Sequence, residues 1–107
     1  MPFVRVRGRS MMPTLYPGDW LWMTPIDHAA PLTPGVIVLV ELSKPPYGTY
    51  IKRFVEQSPS GCFVLGDFRE DSLDSRRWGP LPLSDLRAQA RFRFWPLHRF
   101  GRTFPVG

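Results

Sequence analysis

One cysteine, two histidines and two lysines are all that the 107 residues contain of those three types. The lone cysteine, Cys62, excludes an internal disulfide, so the fold must rest on its core, and Cys62 itself reads as part of that core. No metal or other cofactor is expected. Long apolar runs are also missing. The longest, "VIVLV" (Val36–Val40), falls far short of the ~20 residues that a membrane-spanning helix needs. Residues 1–30 show no basic stretch followed by an apolar one, as a secretory signal would. These absences lead to the expectation of a soluble, cytoplasmic chain that makes no membrane contact. Long helices are excluded too, because 13 prolines break the chain repeatedly.

What is present is an apolar content of 43%, enough for one folded domain over residues 1–107 and too much for a disordered chain. The apolar residues recur mostly with period two. Val4 and Val6 alternate with Arg5 and Arg7; Leu21 and Met23 alternate with Trp20 and Trp22; Phe92 and Phe94 alternate with Arg91 and Arg93. Together with "GVIVLVEL", "TYIKRFVEQ" and "CFVLGD" they predict five or six short strands. Turn-forming clusters separate them: "YPGD", "APLTPG", "KPPYG", "SPSG" and "RRWGPLP". Only "LSDLRAQA" reads as a short helix, with Ser84 or Asp85 as its cap. The predicted fold class is mainly β, a single compact domain of short, coiled antiparallel sheets with little helix.

The net charge is +5, and twelve of the fourteen basic residues are arginine. The arginines are scattered rather than clustered, so no nucleic-acid partner is expected. Arginine keeps its proton inside a protein, whereas a buried lysine can lose it and act as a base. Lys44, in "LSKPPYG", lies in a loop; Lys52, in "YIKRF", lies in a predicted strand, where it shares a face with Tyr50 while Ile51 and Arg53 share the other. To be neutral near pH 8 its ammonium must fall from ~10.4 to ~8.5, a penalty of about 2.6 kcal/mol on the charged form. A serine in need of such a base stands in "GRSMMPTL", where Ser10 is followed by a turn-setting Pro-Thr. His28 and His98, the alternative bases, sit in loops with no pattern to orient them.

A third stretch, "GDFREDSLDSRRWG", is densely polar. In this order, "GRSMMPTLYPGDWLW", "YIKRF" and "GDFREDSLDSRRWG" resemble three motif blocks of the type I signal peptidase family, the serine–lysine proteases, and "ARFRFWP" resembles that family's closing strand. The resemblance runs from about Val4 to Pro96. It implies Ser10 as nucleophile, Lys52 as general base, Ser72 as a hydroxyl that orients the lysine, and Asp74 with Arg76 as a supporting acid–base pair. Gly8 and Ser10 fall where the family forms its oxyanion hole, with the Ser10 N–H as the expected donor. It further implies a first substrate pocket lined by Val6, Met11, Leu15, Tyr50 and Ile51. A second, lined by Val4, Leu21, Leu39 and Ile51, would lie two substrate residues further out. Both would suit small apolar side chains.

The chain departs from the family pattern in places. Val36 stands where a Gly-Asp turn usually has its aspartate, and Arg9 puts a charge beside the nucleophile. Fourteen residues separate Lys52 from Asp67, which leaves no room there for a large second domain. The shortness, and an N-terminus that shows no anchor, resemble the small soluble branch that matures nickel-type superoxide dismutase. There the cut frees a terminal amine and histidine, donors that suit Ni(II). The partner implied is therefore a precursor protein with an N-terminal extension. Two alternatives remain at this point: a protease working at a membrane, held by Trp20, Trp22 and Trp95 or by a partner, and a non-catalytic binding module of the same fold.

Overall fold

A computed structural model describes residues 3–71 and 73–102. Among the described residues seven strands are formed: β1 (Phe3–Arg5), β2 (Trp20–Pro25), β3 (Ile37–Leu42), β4 (Gly48–Ser58), β5 (Gly61–Leu65), β6 (Leu86–Trp95) and β7 (Gly101–Arg102). They make one antiparallel sheet in the order β1-β2-β6-β3-β4-β5, with β7 paired to β6. The mainly β, single-globule architecture expected from the alternation is the one observed, with a radius of gyration of 12.8 Å.

β3 explains the one unbroken apolar run. Val36, Val38, Val40 and Leu42 face a cluster containing Phe54, Val64, Leu81 and Leu86, while Ile37 faces a second cluster containing Val6, Met11, Leu15, Leu21 and Ala90. A strand covered on both faces has no polar side to alternate with, so it reads as a continuous run.

The helix expected at "LSDLRAQA" is not formed. Leu83–Asp85 makes one 3-10 turn and the chain enters β6 at Leu86. β6 fills the gap between β2 and β3, and Gln89 is in register with Thr24 on one side and Val38 on the other. Two satisfied backbone edges and the burial of Leu86 and Ala90 outweigh helix preferences of a few tenths of a kcal/mol per residue. The α-helix among the described residues is instead α1 (Ser75–Trp78), a single turn inside the polar third stretch.

Strand β6 also carries two register shifts against β2. Trp20 and Leu21 face Trp95 and Arg93, so Phe94 is extra; Trp22 and Met23 face Phe92 and Ala90, so Arg91 is extra. Each bulge interrupts the simple alternation of "ARFRFW", and Trp95 comes to share one groove with Phe92 and Phe94.

At the far edge, Gly61 has φ +130° and an added Cβ would lie 2.7 Å from the Leu81 carbonyl oxygen. That approach lets Cys62 and Leu81 exchange two backbone hydrogen bonds of 2.7 Å, closing the first core. Gly61→Ala is expected to lower unfolding stability by roughly 1–3 kcal/mol, read as a drop in the urea midpoint without a change in slope. An unchanged midpoint would show that the Leu81 segment yields at no cost.

Candidate active site

Ser10 sits in the turn that follows β1. Gly8 adopts φ +74° with open space around its Cα, so glycine serves the backbone angle there rather than a tight contact. The turn closes through Met12 N–H to the Arg9 carbonyl (3.1 Å) and Leu15 N–H to the Met11 carbonyl (2.9 Å). Met11 and Leu15, buried in the second core, pin the segment from beneath. The Ser10 carbonyl accepts the Phe68 N–H at 2.8 Å, tying the turn to the third stretch. Ser10 borders a cleft of about 360 Å³ floored by Val4, Leu39, Tyr50 and Ile51 and rimmed by Thr49, Arg5 and Arg7.

Lys52 lies on β4, one residue beyond the cleft wall and in register with Val38. Only 2% of it is exposed. Its Nζ is 5.9 Å from the ring centroids of both Tyr50 and Trp78, and those rings are 5.0 Å apart. The alternation of β4 supplies Tyr50 and α1 supplies Trp78, so two aromatic rings stand beside the buried amine.

Asp67 joins the three motif stretches. Its carboxylate accepts the Thr14 hydroxyl at 2.6 Å and, in a bidentate fork, Arg53 Nε at 2.9 Å and Nη2 at 2.7 Å. Arg53 Nη1 donates to the Gly35 carbonyl at 2.7 Å. Partial burial pushes the Asp67 carboxyl up, but the Arg53 and Thr14 hydrogen bonds and the Arg53 charge outweigh it and hold the group below its ordinary value. The Asp67 hydrogen bond raises Arg53 in turn. Thr14, Arg53 and Asp67 are supporting residues that the motif reading left unassigned. The available signals were the Thr after "SMMP" and an arginine between Lys52 and Phe54, which needs a partner when half-buried.

Asp74 is fully buried and caps α1. One oxygen accepts Arg76 N–H (3.0 Å) and Arg76 Nε (3.0 Å); the other accepts Gly66 N–H (2.8 Å) and Arg76 Nη2 (2.7 Å). Burial raises the carboxyl, but those donors outweigh it and leave it depressed. Ser75 Oγ accepts the Val64 N–H at 3.0 Å, fixing α1 to β5 below Trp78. Ser72 lies outside the described residues.

The expected pocket residues divide into two groups. Val4, Leu39, Tyr50 and Ile51 border the cleft, whereas Val6, Met11, Leu15 and Leu21 are buried in the second core. Cys62 is buried as expected, and burial raises its thiol. His28 contacts the Leu86 carbonyl through Nε2 at 2.8 Å and does not line the cleft. Among the described residues no group of three acidic, histidine or cysteine side chains is placed to hold a metal.

The profile described as "Signal peptidase, peptidase S26" matches residues 1–60 and 57–95. The Mitochondrial ATP-independent inner membrane protease subunit 1b of Arabidopsis thaliana is 32% identical over 124 aligned positions, covering 92% of this chain and 73% of that protein. Mitochondrial inner membrane protease subunit 1 of Homo sapiens is 29% identical over 127 positions, covering 97% and 76%. Thylakoidal processing peptidase 1 of Arabidopsis thaliana is 53% identical over 46 residues, 42% of this chain but only 14% of that protein. Fold, motif order and these similarities agree, and the chain belongs to the signal peptidase family, peptidase S26.

Proposed function

We propose that the chain is a serine–lysine endopeptidase that removes an N-terminal extension from a precursor protein, with nickel-type superoxide dismutase as the substrate to test first. The observation that supports this best is the triple attachment of Asp67. It ties Thr14, four residues beyond Ser10, to Arg53, adjacent to Lys52, so serine and lysine segments are held to one frame. In the proposed reaction the Ser10 hydroxyl attacks the scissile carbonyl carbon while its proton passes to the neutral Lys52 amine. The oxyanion is met by the Ser10 backbone N–H. Lys52 then returns the proton to the leaving amine, and water hydrolyses the acyl-enzyme by the same path. Ser72 is assigned to orient the lysine, and Asp74 with Arg76 to hold that segment. Val4, Leu39, Tyr50 and Ile51 would receive small apolar side chains; Val6, Met11, Leu15 and Leu21 would act from behind by fixing that wall.

The test is to incubate the chain with an N-terminally extended nickel superoxide dismutase precursor and follow its mass. One new N-terminus is expected, with Ser10→Ala slower by on the order of 10³–10⁶-fold. No cut in that precursor, but Ser10-dependent cleavage of small-residue peptides, would keep the mechanism and remove the substrate. Equal rates for the wild type and Ser10→Ala would overturn the mechanism. A second reading, processing of precursors at a membrane surface, is supported by the apolar groove lined by Phe3, Trp20, Trp22, Phe92, Phe94 and Trp95.

A further inference from the structure

Arg93 alternates with phenylalanines in "ARFRFWP" and is nevertheless withdrawn from solvent. On β6 it is in register with Leu21 of β2 and with Gly101 of β7, and its side chain is only 16% exposed. A guanidinium taken out of water needs acceptors for its donors, and three chain segments supply them. Nη1 donates to the Thr14 carbonyl at 2.9 Å and to Asp19 Oδ2 at 3.3 Å. Nε donates to the Arg99 carbonyl. Asp19, itself buried, also accepts the Tyr16 N–H at 2.9 Å and Arg99 Nη2 at 3.0 Å. The Arg99 guanidinium lies over the Tyr16 ring, 4.3 Å from its centroid.

Thr14 is therefore held by two groups. Its hydroxyl donates to Asp67 at 2.6 Å, and its carbonyl accepts from Arg93 at 2.9 Å. Only Met11, Met12 and Pro13 separate it from Ser10. Pro13 has a fixed φ, and Leu15 N–H is bonded back to the Met11 carbonyl at 2.9 Å. Across so short and closed a turn, a displacement of Thr14 is passed on to Ser10. Arg93 is not needed to neutralise Asp19, because Arg99 already pairs with it. What Arg93 adds is the bond to the Thr14 carbonyl.

We propose that Arg93 is a positioning residue for the nucleophile, bracing the Ser10 turn through the Thr14 carbonyl while Asp19 and Arg99 hold the arginine in place. This rests on the serine–lysine reading above. Asp67 sets the turn against Arg53 of β4, and Arg93 sets it against β6. A serine that must meet a substrate carbonyl and a lysine amine together tolerates little drift, since a misplacement of about 1 Å can cost 10²-fold in rate. Val4, Leu39, Tyr50 and Ile51, which floor the cleft, take no part in the brace, so substrate binding is spared.

The test combines peptide-cleavage kinetics with amide hydrogen exchange on Arg93→Met and Arg93→Lys, each checked for folding by thermal melts. Methionine keeps the stem and removes every donor; lysine keeps the charge but loses the planar fork. In Arg93→Met, kcat on a small-residue peptide is expected to fall by roughly 10–100-fold with KM within about threefold of the wild type. The amides of Met12, Leu15 and Phe68, which close the Ser10 turn, should exchange at least about tenfold faster while those of β3 and β4 keep their rates. Arg93→Lys should shift both readouts in the same direction by less, and it carries the test if the methionine variant does not fold. Wild-type exchange at all three amides would overturn the proposal. So would equal acceleration throughout the sheet, the mark of a general scaffold residue, or an unchanged kcat beside local acceleration. Local acceleration with no peptide cut by the wild type would support the brace and remove the serine–lysine reading instead.

Discussion

Lys52→Arg is expected to lower kcat/KM by on the order of 10³-fold or more, although it keeps the positive charge. Arginine cannot give up its proton at any pH the fold survives, so in the proposed reaction it could not accept one from Ser10. The site also has little space for it: Lys52 is 2% exposed, with Tyr50 and Trp78 each 5.9 Å from its amine. A guanidinium forced between those rings would strain α1, so Lys52→Met is the companion variant. Methionine matches the stem in length and suits the aromatic box, and exchanging a buried ionisable group for an apolar one of similar volume is often neutral for stability. Equilibrium denaturation should therefore place Lys52→Met within about 1.5 kcal/mol of the wild type, while single-turnover assays find no acyl-enzyme. Measurable turnover by a folded Lys52→Arg chain would refute the lysine as base. Loss of folding in Lys52→Met would instead assign the amine a structural role.

The strands were legible because their alternation is a local property: Leu21 and Met23 go in while Trp22 goes out. β3 was legible from the opposite signal, an unbroken run. The bulges of β6 were not, because period two says nothing about which residue its neighbour strand skips. It is that skip, against Trp20 and Trp22, that gathers the aromatic face. The helix expected at "LSDLRAQA" failed for a related reason. Its residues carry helix preference, but the vacancy between β2 and β3 is a tertiary fact that no window of eight residues contains. The short α1 escaped notice because its cap, Asp74, was already assigned to a supporting role and four residues show no periodicity.

The candidate site divides in the same way. Ser10, Lys52 and the third stretch could be read as motifs, since each has its own residue pattern. The link between them could not. Thr14 and Asp67 are 53 positions apart and Arg53 and Asp67 are 14 apart, and nothing in either segment names its partner. Half-burial of Arg53 supplies the physical need, because a guanidinium withdrawn from water requires a carboxylate, and Asp67 is the one within reach. The pocket residues show the remaining limit. Val4 and Val6 are equivalent in the pattern, yet Val4 in β1 borders the cleft while Val6, just beyond the end of that strand, is core; the pattern does not show where the strand stops.

Asp74→Asn, a change of one atom, is expected to destabilise the fold by about 2–4 kcal/mol. From the described residues, the two carboxylate oxygens accept four hydrogen bonds, two from backbone N–H groups of Gly66 and Arg76 and two from the Arg76 side chain. An amide keeps one acceptor and turns an NH₂ toward two donors. One buried N–H loses its partner and α1 loses either its cap or its tie to β5. Trp78, and with it one wall around Lys52, stands on that single turn, so activity should fall along with stability. The same geometry sets the acid limb. The Asp74 and Asp67 carboxyls are both held below their ordinary values in the folded chain. Their contribution is therefore fully present above the unfolded carboxylate pKa of ~3.9 and is lost as pH falls through the lower folded values. Urea midpoints measured from neutral pH downward should stay level to about pH 4–5 and then drop steeply for the wild type. In Asp74→Asn the plateau should be lower and the drop shallower, because one of the two protons taken up on unfolding is gone. A variant curve parallel to the wild type through the acid limb would show that Asp74 does not ionise differently on folding, and the buried cap would then owe its stability to shape alone.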